Sequence, residues 1–239
     1  MLKRLIKKFT TKGLRFSLRN VVSEFRIYWF HQKGVLRAQS LRADKDLKLH
    51  FGCGSNIKEG YINIDLNNEV DLSLDLRERL PFLTDSCSMI YSEHFLEHLG
   101  YPDEAMFFLR ECYRILRPGG IFSVGVPDTE WPIRAYTGDP YYADWFQYVK
   151  ENAYPKWITT KMECVNHSFR QGDEHKFAYD FETLKRALEI AEFIEVKRRN
   201  FNPSLDSERS RYSLDSDKSK CTTLYVDAKT PKPKAKDGM

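Results

Sequence analysis

No apolar run in this sequence approaches the roughly 20 residues a membrane-spanning helix needs, and no apolar stretch is followed by a cleavage site of the secretory kind. Cysteine is sparse and odd in number: Cys53, Cys87, Cys112, Cys164 and Cys221. None stands in CxxC spacing, so a disulfide framework and a cysteine metal knuckle are both unsupported, and a reducing, cytoplasmic compartment is expected. There is no internal repeat, which sets aside solenoids and propellers. Acid is scarce at the start. Residues 1–48 hold 13 Lys or Arg against Glu24, Asp44 and Asp46, a balance of +10, so the remainder carries −6 within a net charge of +4. A basic arm on an acidic body points to an anionic partner. Lipid headgroups suit it better than nucleic acid, because the arm belongs to no recognised nucleic-acid module.

What is present suits one domain with extensions: 239 residues, 41% hydrophobic, within the size of a single core. Leu2, Leu5, Ile6 and Phe9 keep helical spacing, and a second helical pattern runs from Leu14 to Gln32 with Leu18, Val21, Val22, Phe25 and Trp29 on one side. Residues 1–46 are therefore expected to form a basic amphipathic helical extension. It either caps the mouth of the main domain or, through residues 1–32, lies peripherally on an anionic membrane at its inner face. Across 47–228 the pattern predicts strands near 47–51, 61–65, 71–76, 88–92, 120–126, 193–200 and 221–228, with helices near 103–116 and 180–191. Pro118-Gly119-Gly120 is a helix stop. An aromatic-rich insert occupies about 128–178, a polar excursion 202–220, and a tail at 229–239 is expected to be disordered.

The run from Leu47 through Gly52-Cys53-Gly54 to Asn56, followed by Tyr61-Ile62-Asn63-Ile64-Asp65, reads as strand, glycine turn, and a second strand ending in a carboxylate. Glycines there let backbone approach a ligand, and the acid is where an α/β fold grips ribose hydroxyls. The dinucleotide fingerprint wants a third glycine and an acid about 20 residues on. This chain has Asn56 in that place, and Asp65 lies only 13 residues beyond Gly52. A cofactor with a ribose but no pyrophosphate fits better.

On these residues the chain resembles the class I S-adenosylmethionine-dependent methyltransferases. It is similar to the short type 11-like forms often encoded with cell-surface glycan enzymes. The likeness continues through Asp75-Leu76-Arg77-Glu78-Arg79-Leu80-Pro81-Phe82, through Ser88 to Leu99, and through Leu109 to Phe122 with its Pro-Gly-Gly turn. It implies a doubly wound, mostly parallel, seven-stranded Rossmann-like α/β sheet with an N-terminal helical cap and the aromatic insert after the fifth strand. It implies S-adenosyl-L-methionine as cofactor, held by Gly52, Cys53, Gly54, Asp65, Leu66, Asp75, Leu76 and Ser92, with Asp75 facing the adenine amine. The departures are His50 and Asn56, where many of these enzymes carry an acid and a glycine.

Methyl transfer from a sulfonium asks the protein mainly to bind, align and exclude water. A base is needed only where a neutral hydroxyl must lose its proton. The candidates are His94, at the end of the fourth strand, His175 in Gly172-Asp173-Glu174-His175-Lys176, and Asp128 beyond the fifth strand. His94-Phe95-Leu96-Glu97-His98 also spells H-x-x-E-H, a zinc-hydrolase pattern for which Glu163 or Glu174 would be the candidate third ligand. That pattern belongs on a long helix, and Gly100-Tyr101-Pro102 leaves room for one turn, so no metal is expected. The expected reaction is O-methylation of a sugar in a surface glycan or its lipid-linked precursor. The rivals are methylation of a small metabolite or lipid, and an inactive binding protein of the same fold.

Overall fold

The computed structural model describes residues 10–41, 46–67, 69–202, 204–205, 211–213 and 219–232. The expected helix over 2–9 and most of the tail lie outside these. A long helix, α1 (Lys12–Ala38), comes first. Thr11 caps it by accepting the Leu14 N–H at 3.1 Å, so the helix opens at Lys12-Gly13. The helix passes the expected Gln32 because its last turns pack on the rim of the sheet, where Gly34 and Ala38 are buried. A Cβ on Gly34 would lie 2.1 Å from the Ser73 carbonyl oxygen. Gly34→Val is therefore expected to lift α1 off the domain and to cost about 1–3 kcal/mol. Faster proteolysis near residue 34 and a lower Tm would register this; an unchanged Tm would contradict the seating.

Seven strands form one sheet. They are β1 (Leu47–Phe51), β2 (Ile62–Asp65), β3 (Leu72–Ser73), β4 (Cys87–Glu93), β5 (Leu116–Pro127), β6 (Ile194–Arg199) and β9 (Thr223–Lys229). Two short strands, β7 (Arg211–Ser213) and β8 (Ser219–Cys221), pair as a separate ribbon inside the polar excursion. The sheet order is β3-β2-β1-β4-β5-β9-β6, parallel except for β9, which runs antiparallel to both neighbours. Near-continuous apolar strands explain why it is covered on both faces: Leu49, Phe51, Ile64, Ile90, Phe122 and Val124 are fully buried. Helices α2 (Asp103–Ile115) and α6 (Phe181–Ile190) pack in the same core as these strands, through Phe108, Leu109 and Leu184. Strand order reverses between β1 and β4, so a crevice opens at their carboxyl ends.

Three expectations shift. The strand expected at 71–76 shrinks to Leu72–Ser73, because the chain then turns at Asp75, which accepts the Arg77 N–H at 3.0 Å. The fifth strand starts at Leu116, not 120, since Leu116 pairs with Cys87 and Pro118-Gly119-Gly120 is drawn into the sheet by Thr230. The tail is accordingly ordered at its start. Lys229 belongs to β9, and Thr230 is buried with its hydroxyl donating to the Arg117 carbonyl at 2.6 Å. The aromatic insert, which lacked readable periodicity, holds α3 (Glu130–Thr137), α4 (Trp145–Asn152) and α5 (Lys161–Arg170) around a small core of Trp131, Trp145, Phe146 and Cys164.

Candidate active site

The glycine turn follows β1 directly. Gly52 and Gly54 have φ of +64° and +55°, a region that favours glycine. Their reasons differ. A Cβ on Gly52 would meet Phe95 Cβ at 2.5 Å, so this glycine serves close packing, not a ligand. A Cβ on Gly54 would meet nothing among the described residues within 4 Å. Gly52→Ala should therefore cost about 2–4 kcal/mol of stability through overpacking and strain. Gly54→Ala should cost only about 1–2 kcal/mol, yet weaken S-adenosylmethionine binding more than tenfold if the ligand uses that space. Paired denaturation curves and calorimetry read the contrast, and equal behaviour of the two variants would contradict it.

Asp65, at the tip of β2, turns its carboxylate back to the glycine turn. It accepts the Gly54 N–H at 2.8 Å and the Leu66 N–H at 2.6 Å. A cavity of about 300 Å³ opens there, lined by Gly52, Asp65, Leu66, Asp75, Leu76, Phe95 and His98, and closed on one side by Ile27 of α1. A larger groove of about 700 Å³ between α1 and Asp75 adjoins it, also sharing Ile27. Asp75 is already engaged. Its carboxylate receives a bidentate pair from Arg77, 2.7 Å from Nη2 and 3.0 Å from Nε, and Arg77 reaches on to Glu24 of α1 at 3.3 Å. Burial raises the Asp75 pKa, but the Arg77 hydrogen bonds and charge outweigh it and hold the group below its ordinary value. The backbone N–H of Asp75 meets His31 Nδ1 at 3.1 Å, a second tie from α1.

Three expected cofactor residues, Cys53, Gly54 and Ser92, do not line this cavity, though the space at Gly54 is open. Ser92 is fully buried, its hydroxyl without a partner among the described residues. The Cys53 side chain is buried, and desolvation, then the Asp65 charge, pushes its thiol to about 12. His50, the departure near the end of β1, meets Asn63 at 3.1 Å and lies against Tyr91 with the rings tilted at 53°, and it does not line the cavity. Arg77 and Phe95 were not anticipated. An arginine two residues past an acid was readable as a candidate partner, whereas nothing local marks Phe95.

The three candidate bases share a second cavity, of about 170 Å³, between β5 and the insert. It is lined by His94, Asp128 and His175 together with Trp131, Trp145 and Tyr148. His94 sits at φ +53°, in the left-handed region that a histidine rarely occupies. Its Nδ1 lies 3.3 Å from Glu97 and its Nε2 3.0 Å from Thr223 Oγ1. Burial lowers its pKa, but the Glu97 hydrogen bond and charge, with the Glu93 charge, lift it above the ordinary value. Burial lowers the His175 pKa and raises that of Asp128, the latter against the pull of the Glu130 N–H and Arg198. The segment His94–Leu99 is the wall between the cavities, His94 facing one and His98 the other. The H-x-x-E-H run forms one 3₁₀ turn at Leu96–His98. Glu163 is spent capping α5, and the Glu174 carbonyl accepts from His98.

A seven-stranded sheet in this order, with only the sheet's penultimate strand reversed and a nucleoside-sized crevice at the switch point, defines a class I methyltransferase fold. Residues 53–124 match a family described as a methyltransferase domain. A protein of Mycolicibacterium smegmatis described as a "probable S-adenosylmethionine-dependent methyltransferase" is 29% identical over 122 residues, which are 42% of this chain and 46% of that protein. The chain thus aligns with about half the length of that relative. Among solved structures, a SAM-dependent methyltransferase of Archaeoglobus fulgidus is 16% identical, covering 82% of this chain and 92% of its own, with a TM-score of 0.46. A phosphoethanolamine N-methyltransferase of Haemonchus contortus, solved with S-adenosyl-L-methionine, is 11% identical, covering 84% and 53%, with a TM-score of 0.42. Over these residues the chain is similar to the S-adenosylmethionine-dependent methyltransferases, whose cofactor is S-adenosyl-L-methionine.

Proposed function

We propose that the protein O-methylates a hydroxyl, on a sugar of a surface glycan or its lipid-linked precursor. The observation that carries the reading is the division of the site. Gly52, Asp65, Leu66 and Leu76 line one cavity, His94, Asp128 and His175 line the other, and one short segment separates them. The residues around the first cavity fit an adenosyl group: the space at Gly54 is open, and two of the roughly four acceptor sites of the Asp65 carboxylate are used by backbone, leaving two for ribose hydroxyls. Gly54, Asp65, Leu66 and Leu76 would hold it. Asp75, locked to Arg77, would shape the adenine end without binding through its carboxylate unless Arg77 moves. When bound, the cofactor supplies an electrophilic methyl group. The chain's own part is to hold the acceptor hydroxyl in the second cavity, exclude water with the aromatic insert, and take the hydroxyl proton. His94 is the favoured base: Glu97 raises its basicity, and the cavity gives it access to a ligand.

The test is calorimetry of the full chain with S-adenosylmethionine, then methyl transfer from labelled cofactor to a panel of glycans, polyprenyl-linked sugars and small alcohols. Label on a sugar oxygen supports the reading. Label only on small metabolites or lipids moves the acceptor class, and cofactor binding without transfer to any acceptor favours the inactive binding protein.

The lipid-linked acceptor agrees with an exposed apolar stripe on α1. Leu14, Leu18, Val21, Phe25 and Trp29 form a stripe that is exposed throughout, Phe25 by 65%, on the strongly basic arm. Among the described residues no helix is long and apolar enough to cross a membrane. An anionic lipid surface matches both the apolar stripe and the charge. Sedimentation with phosphatidylglycerol vesicles, weakened by salt and lost in Phe25→Glu/Trp29→Glu, is the expected result; concentration-dependent dimerisation without vesicle binding would replace lipid by a second copy.

A further inference from the structure

We propose that Glu97, His98 and His175 form a binding site for a divalent transition ion of the zinc class, set in the wall between the two cavities. One potential ligand atom from each lies within 4.8 Å of the others. Glu97 is 1% exposed, and its Oε2 is buried without a hydrogen-bond partner among the described residues. A buried carboxylate oxygen left unpaired is costly, and a cation is what it lacks.

The imidazoles are prepared in the same sense. His98 Nδ1 stands 3.1 Å from the Glu174 carbonyl and His175 Nδ1 3.2 Å from the Ser168 carbonyl. A carbonyl only accepts, so each Nδ1 carries the hydrogen and each Nε2 keeps its lone pair. Backbone carbonyls orient metal-binding histidines in this way. His94 plays the same part for the acid, holding Glu97 Oε1 at 3.3 Å and leaving Oε2 to face elsewhere. The two chain segments are stitched together before any ion arrives: Lys176 and Phe177 both donate their N–H to the Glu97 carbonyl, at 2.7 and 3.2 Å. Two imidazoles and one carboxylate suit zinc or cobalt(II) better than calcium or magnesium. Ligands at zinc–nitrogen distances of about 2.0–2.1 Å would have to draw closer than they now stand, a side-chain movement. This differs from the H-x-x-E-H reading of the sequence, in which His94 and His98 shared the ion and Glu97 was a base.

The experiment uses the full chain, stripped with chelator and dialysed. Cobalt(II) is titrated while its visible absorption is followed, and zinc is measured by equilibrium dialysis, with circular dichroism monitoring the fold. The expected result is one ion per chain, with affinity falling at least a hundredfold in His98→Ala and in His175→Ala and unchanged in the surface variant Glu189→Gln. If an alanine variant does not fold, Glu97→Gln and His175→Gln keep the shape and remove the ligand. A folded wild type that binds no stoichiometric ion overturns the site, as does binding that persists in folded ligand variants. Cofactor calorimetry on the stripped protein reports on the methyltransferase reading separately.

Discussion

Asp65→Ala is expected to raise the Kd for S-adenosylmethionine by two to three orders of magnitude while the protein stays folded. The carboxylate stands at the carboxyl end of β2, bordering the cavity, and backbone groups already hold it in place through Gly54 and Leu66. It is thus a pre-organised acceptor, and two ribose hydroxyls would find it without reorganisation. Hydrogen bonds to a charged group contribute about 1.5–3 kcal/mol each, and two of them account for the expected loss. Asp65→Asn should fall between, because its amide oxygen can keep the Gly54 N–H but the charge and half the acceptor capacity are gone. Calorimetry gives the affinities, and a thermal shift without ligand separates them from a loosened turn. A folded Asp65→Ala with unchanged affinity would remove this residue from the cofactor site.

The strands most legible in sequence are those where apolar runs meet glycine punctuation. Leu47 to Gly54 and Ile62 to Asp65 could be placed within a residue, because a buried parallel strand is almost uniformly apolar and a glycine at positive φ ends it abruptly. β3 was overextended because Leu74 and Leu76 are as buried as strand residues while the chain between them has already turned. The insert was illegible for a different reason. Its helices bury Trp131, Trp145 and Phe146 against one another, and short helices packed face to face carry little clean periodicity. At the site, candidates adjacent in sequence to a strand end were recognisable, whereas groupings across the fold were not. The approach of His175 to His98, with ring centroids 5.1 Å apart, joins segments 77 residues distant. Nor could the local sequence indicate that Arg77, once paired with Asp75, would reach on to Glu24 of α1.

Stability should fall steeply between pH 6.5 and 4, and His50 should account for a large share of the loss. The side chain is 1% exposed beneath the glycine turn. Asn63 Oδ1 faces its Nδ1 while also accepting the Lys58 N–H at 2.8 Å, and the Asn63 amide nitrogen is occupied by the Lys58 and Tyr61 carbonyls. That fixes the amide, so the imidazole is held neutral with its hydrogen on Nδ1. Burial, against the favourable Asn63 bond and helped by the Lys58 charge, lowers its pKa from 6.5 to about 4. The unfolded chain therefore takes up a proton below pH 6.5 that the folded chain refuses until about pH 4. The unfolded state binds more protons throughout that window, so the free energy of unfolding must rise with pH across it. The full difference is about 3 kcal/mol, absent near pH 4 and complete above pH 7. Burial also lowers His167 and His175, which add to the slope in the same direction. His50→Leu isolates the contribution, since Asn63 keeps its Lys58 and Tyr61 bonds. Urea unfolding at pH 4.5, 5.5 and 7 should give a markedly flatter pH dependence for this variant, whatever its stability at neutrality. Parallel curves for the two proteins would mean that the imidazole is protonated in the folded state, and that the first strand ends on a charge instead of a neutral ring.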